Sequence, residues 1–159
     1  MNRTEHVSAL RVASGVLAGG DPLLLADWSD DDWNKLLDHT RPQLFRTSEV
    51  VIQRGATDRA LYFVVAGILE VGVTQVDGVS IAPLAKITAG SVVGEQSFFD
   101  GQPRSTNVYA IADGELLRLE YEEFVRFSEQ EVRLARDLLF ALARVLSQRL
   151  RNTTFRVRR

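Results

Sequence analysis

Leu61-Tyr62-Phe63-Val64-Val65-Ala66-Gly67-Ile68-Leu69-Glu70-Val71-Gly72-Val73 decides the fold class of this chain. Its first five residues form an unbroken apolar run, rich in β-branched and aromatic side chains, that reads as a buried strand. From Ile68 the pattern alternates apolar with small or polar residues, the period of a strand covered on one face. Upstream, Val50-Val51-Ile52 is β-branched and is followed by the turn residues Gly55 and Asp58. Downstream, Asp77-Gly78 stands between Val73-Thr74-Gln75-Val76 and Val79-Ser80-Ile81, and Asp113-Gly114 stands between Val108-Tyr109-Ala110-Ile111 and Leu116-Leu117-Arg118-Leu119. Asp-Gly between two strand-like runs predicts a hairpin, because both residues accept positive φ. Short strands with frequent turns over about 42–120 predict a mainly β fold: an antiparallel β-roll, double-stranded β-helix or jelly-roll-like.

Helices flank the strands. Ser29 precedes Asp30-Asp31-Asp32, an N-cap with an acid three residues on, and starts a short helix. It should end near Thr40, since Pro42 biases Arg41 away from the helical region. Beyond Tyr121 the pattern turns helical, with Ser128 expected as a cap and Glu131 at its third position. Val132 to Asn152 contains neither glycine nor proline, and Leu139, Leu142, Leu146, Leu150 and Thr153 recur every three or four residues. That spacing predicts one continuous face on a long helix of about 30 Å. Residues 1–20 show no sustained period and are expected to form a flexible arm or a frayed helix. A single domain then occupies 21–159, with C-terminal helices over about 121–155.

Composition narrows the function. The length of 159 residues suits one domain. Absence of cysteine removes disulfides, thiolate metal sites and cysteine nucleophiles together. His6 and His39 are too far apart for a short-spaced metal motif. A net charge of −2 argues against nucleic-acid binding by the whole surface. No stretch approaches the roughly 20 apolar residues of a membrane span. Val12 to Gly19 is weakly apolar behind Arg11, but its glycines dilute it and it is short for a signal sequence. The expectation is a cytoplasmic protein. Asp27, Ser29, Asp31 and Asp38 partly mimic a calcium loop, yet the turn glycine and the final Glu are missing, so capping explains them better. His39 reads as a helix-end charge partner, and Trp28 and Trp33 as packing residues. Six arginines and no acid follow from Arg144 onward. A solvated helix end accounts for them, with an acidic partner, anionic lipid or nucleic acid as the alternative.

The chemistry lies in Ala89-Gly90-Ser91-Val92-Val93-Gly94-Glu95-Gln96-Ser97-Phe98-Phe99-Asp100-Gly101-Gln102-Pro103-Arg104-Ser105-Thr106-Asn107-Val108. Gly94 permits a tight backbone path into a single helical turn, whose free N–H groups suit an anion. Arg104 can return to the same place as a bidentate phosphate ligand, with Ser105 adding a hydroxyl. Glu95 repels phosphate but accepts hydrogen bonds from sugar hydroxyls. A cradle of this kind suits a phosphorylated sugar better than free phosphate.

This stretch resembles the phosphate-binding cassette of cyclic nucleotide-binding domains, including the catabolite activator and protein kinase A regulatory branches. Their pattern is Gly-Glu, a few apolar or small residues, then Pro-Arg-(Ser/Ala/Thr)-Ala-(Ser/Thr)-Val. The resemblance covers about residues 22–157, with Val51-Ile52-Gln53-Arg54-Gly55 and Leu61 to Gly67 similar to the family's turn and strand signature. It implies that Glu95 takes the ribose 2′-hydroxyl and Arg104 the cyclic phosphate. Ser105 and the N–H groups near Gln96 and Ser97 complete the cradle that Gly94 opens, and Thr106 lies beside them. The end of the long helix, Arg149 to Thr154, is similar to the catabolite activator branch, which implies base contacts from Thr153 and Thr154 and a homodimer along this helix. Gln96, Thr106 and Asn107 depart from the pattern without removing a phosphate or ribose ligand.

What the resemblance implies is a cyclic nucleotide-sensing module without catalytic residues, metal or further cofactor. Serine after Arg104 accompanies cAMP in the bacterial activators, whereas a hydroxyl residue there accompanies cGMP in eukaryotic relatives. cAMP is expected ahead of cGMP. No helix-turn-helix DNA-binding motif is seen, so output is expected through an unidentified effector protein if the chain is complete, or through an output domain outside this sequence if it is not. A ligand-free scaffold on the same fold is the alternative, and an enzyme acting on a phosphorylated sugar ranks last.

Overall fold

The computed structural model describes residues 1–15, 21–72 and 85–157, with the side chains in them other than those of 12–15 and 153–157. Its elements run α1 (Arg3–Gly15), α2 (Asp30–Leu37), β1 (Arg41–Phe45), β2 (Val50–Ile52), β3 (Leu61–Gly72), β4 (Ala85–Thr88), β5 (Val92–Val93), α3 (Glu95–Asp100), β6 (Asn107–Leu119), α4 (Tyr121–Gln130) and α5 (Val132–Val157). The architecture is an antiparallel sheet carrying several helices, the last of them the longest.

Two long strands organise it. β3 pairs with β6 from Leu61↔Leu119 to Gly72↔Asn107. β1 and β2 lie along β6, while β4 and β5 lie along β3, all antiparallel. Side chains of a strand alternate between faces, and both faces of β3 are covered. Leu61, Phe63 and Val65 join Leu117 and Leu119 under the helices, in a core shared with Trp33, Phe127, Leu138 and Leu142. Tyr62, Val64 and Leu69 point the other way, into a second core with Ile52, Ile87, Val93, Val108 and Leu116. This explains why the run from Leu61 shows no polar alternation until the sheet bulges beyond Val64.

Several expectations are corrected. Asp113-Gly114 makes no hairpin: both residues lie within the continuous strand β6, with Gly114 opposite Phe45 and next to a bulge facing Ala66. A Cβ on Gly114 would stand 2.1 Å from the Ala66 carbonyl oxygen and 2.6 Å from the Phe45 ring, so glycine is required by close approach rather than by turning. The Asp77-Gly78 hairpin lies outside the described residues. Ser128 caps nothing, because α4 already occupies its position and its hydroxyl donates to the Val125 carbonyl. The chain breaks at Glu131 instead (φ −130°, ψ 74°), and α5 begins after it.

The expected single leucine face of α5 also divides. Leu142 is buried, whereas Leu139 and Leu150 are exposed. The inward stripe is Leu134, Ala135, Leu138, Ala141, Leu142 and Val145. At the other end, Arg3–Gly15 is helical where an arm or frayed helix was expected, with Val7 and Leu10 in the core. Its His6 pairs through Nε2 with the buried carboxylate of Glu115 on β6, and the terminal amine stands 3.5 Å from the same carboxylate. A buried carboxylate demands such partners, which is what holds α1 down.

Ser29 and Asp32 form the expected reciprocal capping box of α2. Trp28 and Trp33 are buried edge to face at 4.9 Å, and His39 Nδ1 reaches Glu123 on α4 at 3.0 Å. Among the described residues no helix is long and apolar enough to cross a membrane.

Candidate ligand-binding site

The second core opens into a cavity of about 470 Å³. That volume falls within the range of small-molecule sites. Its floor is apolar, from Ile52, Val71, Ile87, Val93 and Val108, and its outer wall is α5 through Leu146, Arg149, Leu150 and Asn152. The polar rim gathers Gly94, Glu95, Gln96, Ser97, Arg104, Ser105 and Thr106, so the structure brings the expected cassette residues to one place. α5 continues through Thr153 and Thr154, whose side chains lie outside the described set.

Gly94 makes this possible. It precedes α3 at φ 83°, a conformation other residues resist, and a Cβ there would stand 2.8 Å from Arg104 Nη1. α3 therefore begins directly over the arginine. Its first turn, at Glu95, Gln96 and Ser97, has no side-chain cap. At the far end, Arg59 donates from Nε to the Phe98 carbonyl and from Nη2 to the Phe99 carbonyl, both at 2.9 Å, and its guanidinium lies 3.7 Å over the Tyr121 ring. The cassette helix is thereby tied to α4.

Arg104 is only 3% exposed, and its hydrogen bonds explain how a charge tolerates that burial. Nη2 donates to Asp58 Oδ2 at 2.8 Å and to the Ala60 carbonyl at 2.7 Å; Nε donates to Asp58 Oδ1 at 3.3 Å, and Nη1 to the Gly94 carbonyl at 2.8 Å. A guanidinium has five N–H groups. These four bonds leave one N–H, on Nη1, for anything in the cavity. The expected bidentate fork is thus already occupied by Asp58. The arginine in turn holds the Asp58 carboxyl below the usual carboxylate range, chiefly through their hydrogen bond.

Glu95 is also buried and also partnered. Arg149 Nη1 stands 2.8 Å from Glu95 Oε2, so the cassette acid is joined to α5. The same guanidinium donates to Asp21, to Ser91 Oγ and to the Val92 carbonyl. Burial works against the charged form of Arg149, but Glu95 and Asp21 outweigh it and its pKa lies above the ordinary arginine range. It stays a cation inside the site.

Gln96 and Asn107, which depart from the cassette pattern, have local partners. Gln96 Oε1 accepts from Ser105 Oγ at 2.8 Å, and Asn107 Oδ1 accepts from the Arg54 backbone N–H at 2.7 Å. Asp21, Asp58 and Arg149 are the residues that sequence reasoning missed. The sequence pattern groups Arg149 with the solvated arginines of the helix end; Arg144 and Arg151 are exposed, but Arg149 turns inward. Its position one helical turn before Thr153 was the signal available.

The cyclic nucleotide-binding domain profile matches residues 42–131, more than half of the chain. The chain is 28% identical over 122 residues to the cAMP-activated global transcriptional regulator CRP of Pasteurella multocida, covering 76% of this chain and 56% of that protein. It is 32% identical over 106 residues to Glutaminase 1 of Bradyrhizobium diazoefficiens, covering 67% of this chain but 16% of that protein. The chain therefore spans about half the length of the first of these relatives and a small part of the second. A crystal structure of a cyclic nucleotide-binding domain from Methylobacillus flagellatus superimposes with a TM-score of 0.80 at 20% identity, covering 98% of this chain and 82% of that one. The fold, the cassette around one cavity and the profile match agree: this chain belongs to the cyclic nucleotide-binding domain family.

Proposed function

We propose that this chain senses a cyclic nucleotide, cAMP ahead of cGMP, and signals its bound state through α5. The observation that carries this reading is the presence of a buried carboxylate, Glu95, and a buried guanidinium, Arg104, on one rim of a cavity with an apolar floor. A cyclic nucleotide has a matching set of groups: one anionic phosphate, one free ribose hydroxyl and a flat base whose ring faces are apolar.

In this reading Glu95 accepts the 2′-hydroxyl through the oxygen that Arg149 leaves available. Arg104 supplies charge and its remaining N–H to the phosphate, helped by Ser105 and the first-turn N–H groups of Gln96 and Ser97. Thr106 borders the sugar, and Thr153 and Thr154 take the base. The preference for cAMP is supported by Ser105 after the arginine and by the cAMP-activated relative. The ligand leaves unchanged, since nothing in this set acts as a general base beyond Glu95.

Replacing Glu95 by Ala should weaken cAMP binding by roughly 10–150-fold, the loss of one charge-assisted hydrogen bond of about 1.5–3 kcal/mol. Equilibrium titration of both proteins measures it, and equal affinities would sink this assignment.

Signalling through α5 has its own support. Phe140 is 79% exposed and Leu150 68%, and with Ala143 and Ser147 they form an exposed stripe at spacings of three and four. Such a stripe fits a homodimer along the helix. Phe140→Asp should then convert a dimer to a monomer in analytical ultracentrifugation. A wild-type protein that sediments as a monomer at high micromolar concentration would remove the dimer from the account.

One observation favours the scaffold reading: both Glu95 and Arg104 already have protein partners. A scaffold would show a melting temperature that cyclic nucleotides leave unchanged.

A further inference from the structure

The segment that leads into α2 contributes a side chain to this site that the cassette pattern does not contain. Asp21 Oδ2 accepts from Arg149 Nε at 2.6 Å, and Asp21 Oδ1 accepts from Arg149 Nη2 at 3.3 Å. The carboxylate is itself braced: Ser91 Oγ donates to the Asp21 backbone oxygen at 2.8 Å and lies 3.2 Å from Oδ1. Two residues on, the Leu23 N–H donates to the Gly90 carbonyl at 2.9 Å, and Leu23 is in the core. Asp21 is therefore fixed to the sheet, and its side chain is only 13% exposed.

The geometry of a guanidinium gives this contact a consequence. An arginine presents its N–H groups along rigid edges, and each edge can grip both oxygens of one carboxylate. Asp21 takes the Nε/Nη2 edge of Arg149, so that Nη1 alone is turned to Glu95, on one oxygen. Without Asp21, the Nε edge loses its carboxylate, and the guanidinium, still held through Nη2 by Ser91 Oγ and the Val92 carbonyl, can pivot to present two N–H groups to Glu95 and take both of its oxygens. A ligand hydroxyl would then find no acceptor there. Asp21 also links a segment anchored on the sheet to a residue near the end of α5.

We propose that Asp21 is a positioning residue: it holds Arg149 in the orientation that keeps one Glu95 oxygen open to a ligand hydroxyl, and it latches the end of α5 over the cavity. The first part rests on the reading of Glu95 as the ribose acceptor; the second stands independently of it. Asp21 touches no ligand in this account and acts through Arg149.

The test uses the whole chain with Asp21→Asn, which preserves shape, and Asp21→Ala, which removes the group. Titration with cAMP and with 2′-deoxy-cAMP separates positioning from general loosening, because only the first ligand offers the hydroxyl. Asp21→Ala should weaken cAMP about tenfold and 2′-deoxy-cAMP less than about twofold, with Asp21→Asn between it and the wild type. Equal losses for the two ligands, or no loss for either, would overturn the positioning role. Hydrogen exchange of the ligand-free proteins reads the latch: amides of residues 146–152 should exchange several-fold faster in both variants, while those of β3 stay unchanged. Unaltered exchange in α5 would overturn the latch. If the wild type binds neither nucleotide, the sensing role and the positioning of Glu95 for it fail together. Exchange then decides the latch alone.

Discussion

Replacing Arg104 by Ala is expected to weaken nucleotide binding by one to two orders of magnitude and to lower the melting temperature at the same time. The two effects have different origins. Binding falls because the cation facing the phosphate is gone, a loss of at least 10–150-fold by the energy of one charge-assisted bond, roughly 1.5–3 kcal/mol. Stability falls because the side chain also satisfies the Asp58 carboxylate and the carbonyls of Gly94 and Ala60. Asp58 is 33% exposed and rehydrates on losing its partner, so the loss comes chiefly from the acceptors left without a donor, about 1–3 kcal/mol. In a chain of this size that corresponds to a fall of about 2–12 °C. Arg104→Lys tests the division: it keeps the charge but cannot fork between Asp58 and two carbonyls. It should restore part of the binding and little of the stability. An unchanged melting temperature in Arg104→Ala would show that the network around it contributes nothing.

Acid gives an independent reading of the same pair. The Asp58 carboxyl titrates below its unfolded value of about 3.9, so its contribution is complete above about pH 5 and is lost as the pH falls through the depressed native value. Asp58→Asn should flatten that acid limb in a stability profile followed by chemical denaturation.

The second large effect is expected at a residue that does not line the cavity. Gly114→Ala places a methyl group 2.1 Å from the Ala66 carbonyl oxygen and against the Phe45 ring, where neither neighbour is a flexible side-chain end. The strands β3 and β6 must separate at their bulge, breaking ladder bonds on both sides. Overpacking a filled core costs about 1–3 kcal/mol, and rigid backbone on one side puts this case at or above the upper end. Denaturant unfolding should show a shifted midpoint with an unaltered slope. A loss below about 0.5 kcal/mol would mean that the bulge adjusts, and that Gly114 is not held by the contact described.

These cases show what a sequence conceals. Asp113-Gly114 carries a strong local hairpin signal, yet tertiary pairing along thirteen residues of β6 overrides it. Local signals succeeded where the interaction is itself local: Ser29 and Asp32, three residues apart, make the capping box as read. The cassette was legible for a related reason. Gly94, Glu95, Arg104 and Ser105 lie within twelve residues, so one helical turn and one return of the chain bring them together. Asp58 and Asp21 were not legible. Each meets its arginine across a long stretch of chain, 46 and 128 residues, and a lone aspartate beside a glycine turn has no periodicity to mark it. Arg149 was hidden differently, among arginines of the same helix that face solvent. The division of α5 into an inward stripe and an exposed Phe140, Ala143, Ser147 and Leu150 stripe likewise depends on how the helix lies on the sheet, which spacing alone leaves open.

The central claim is that the cavity beside Glu95 and Arg104 receives a cyclic nucleotide, and calorimetric titration of the purified protein with cAMP, cGMP and non-cyclic AMP tests it most directly. The account predicts saturable heat with cAMP, weaker heat with cGMP and none with AMP. Absence of heat with either cyclic nucleotide up to millimolar concentration, with no competition between them, would contradict it and leave the chain as a scaffold.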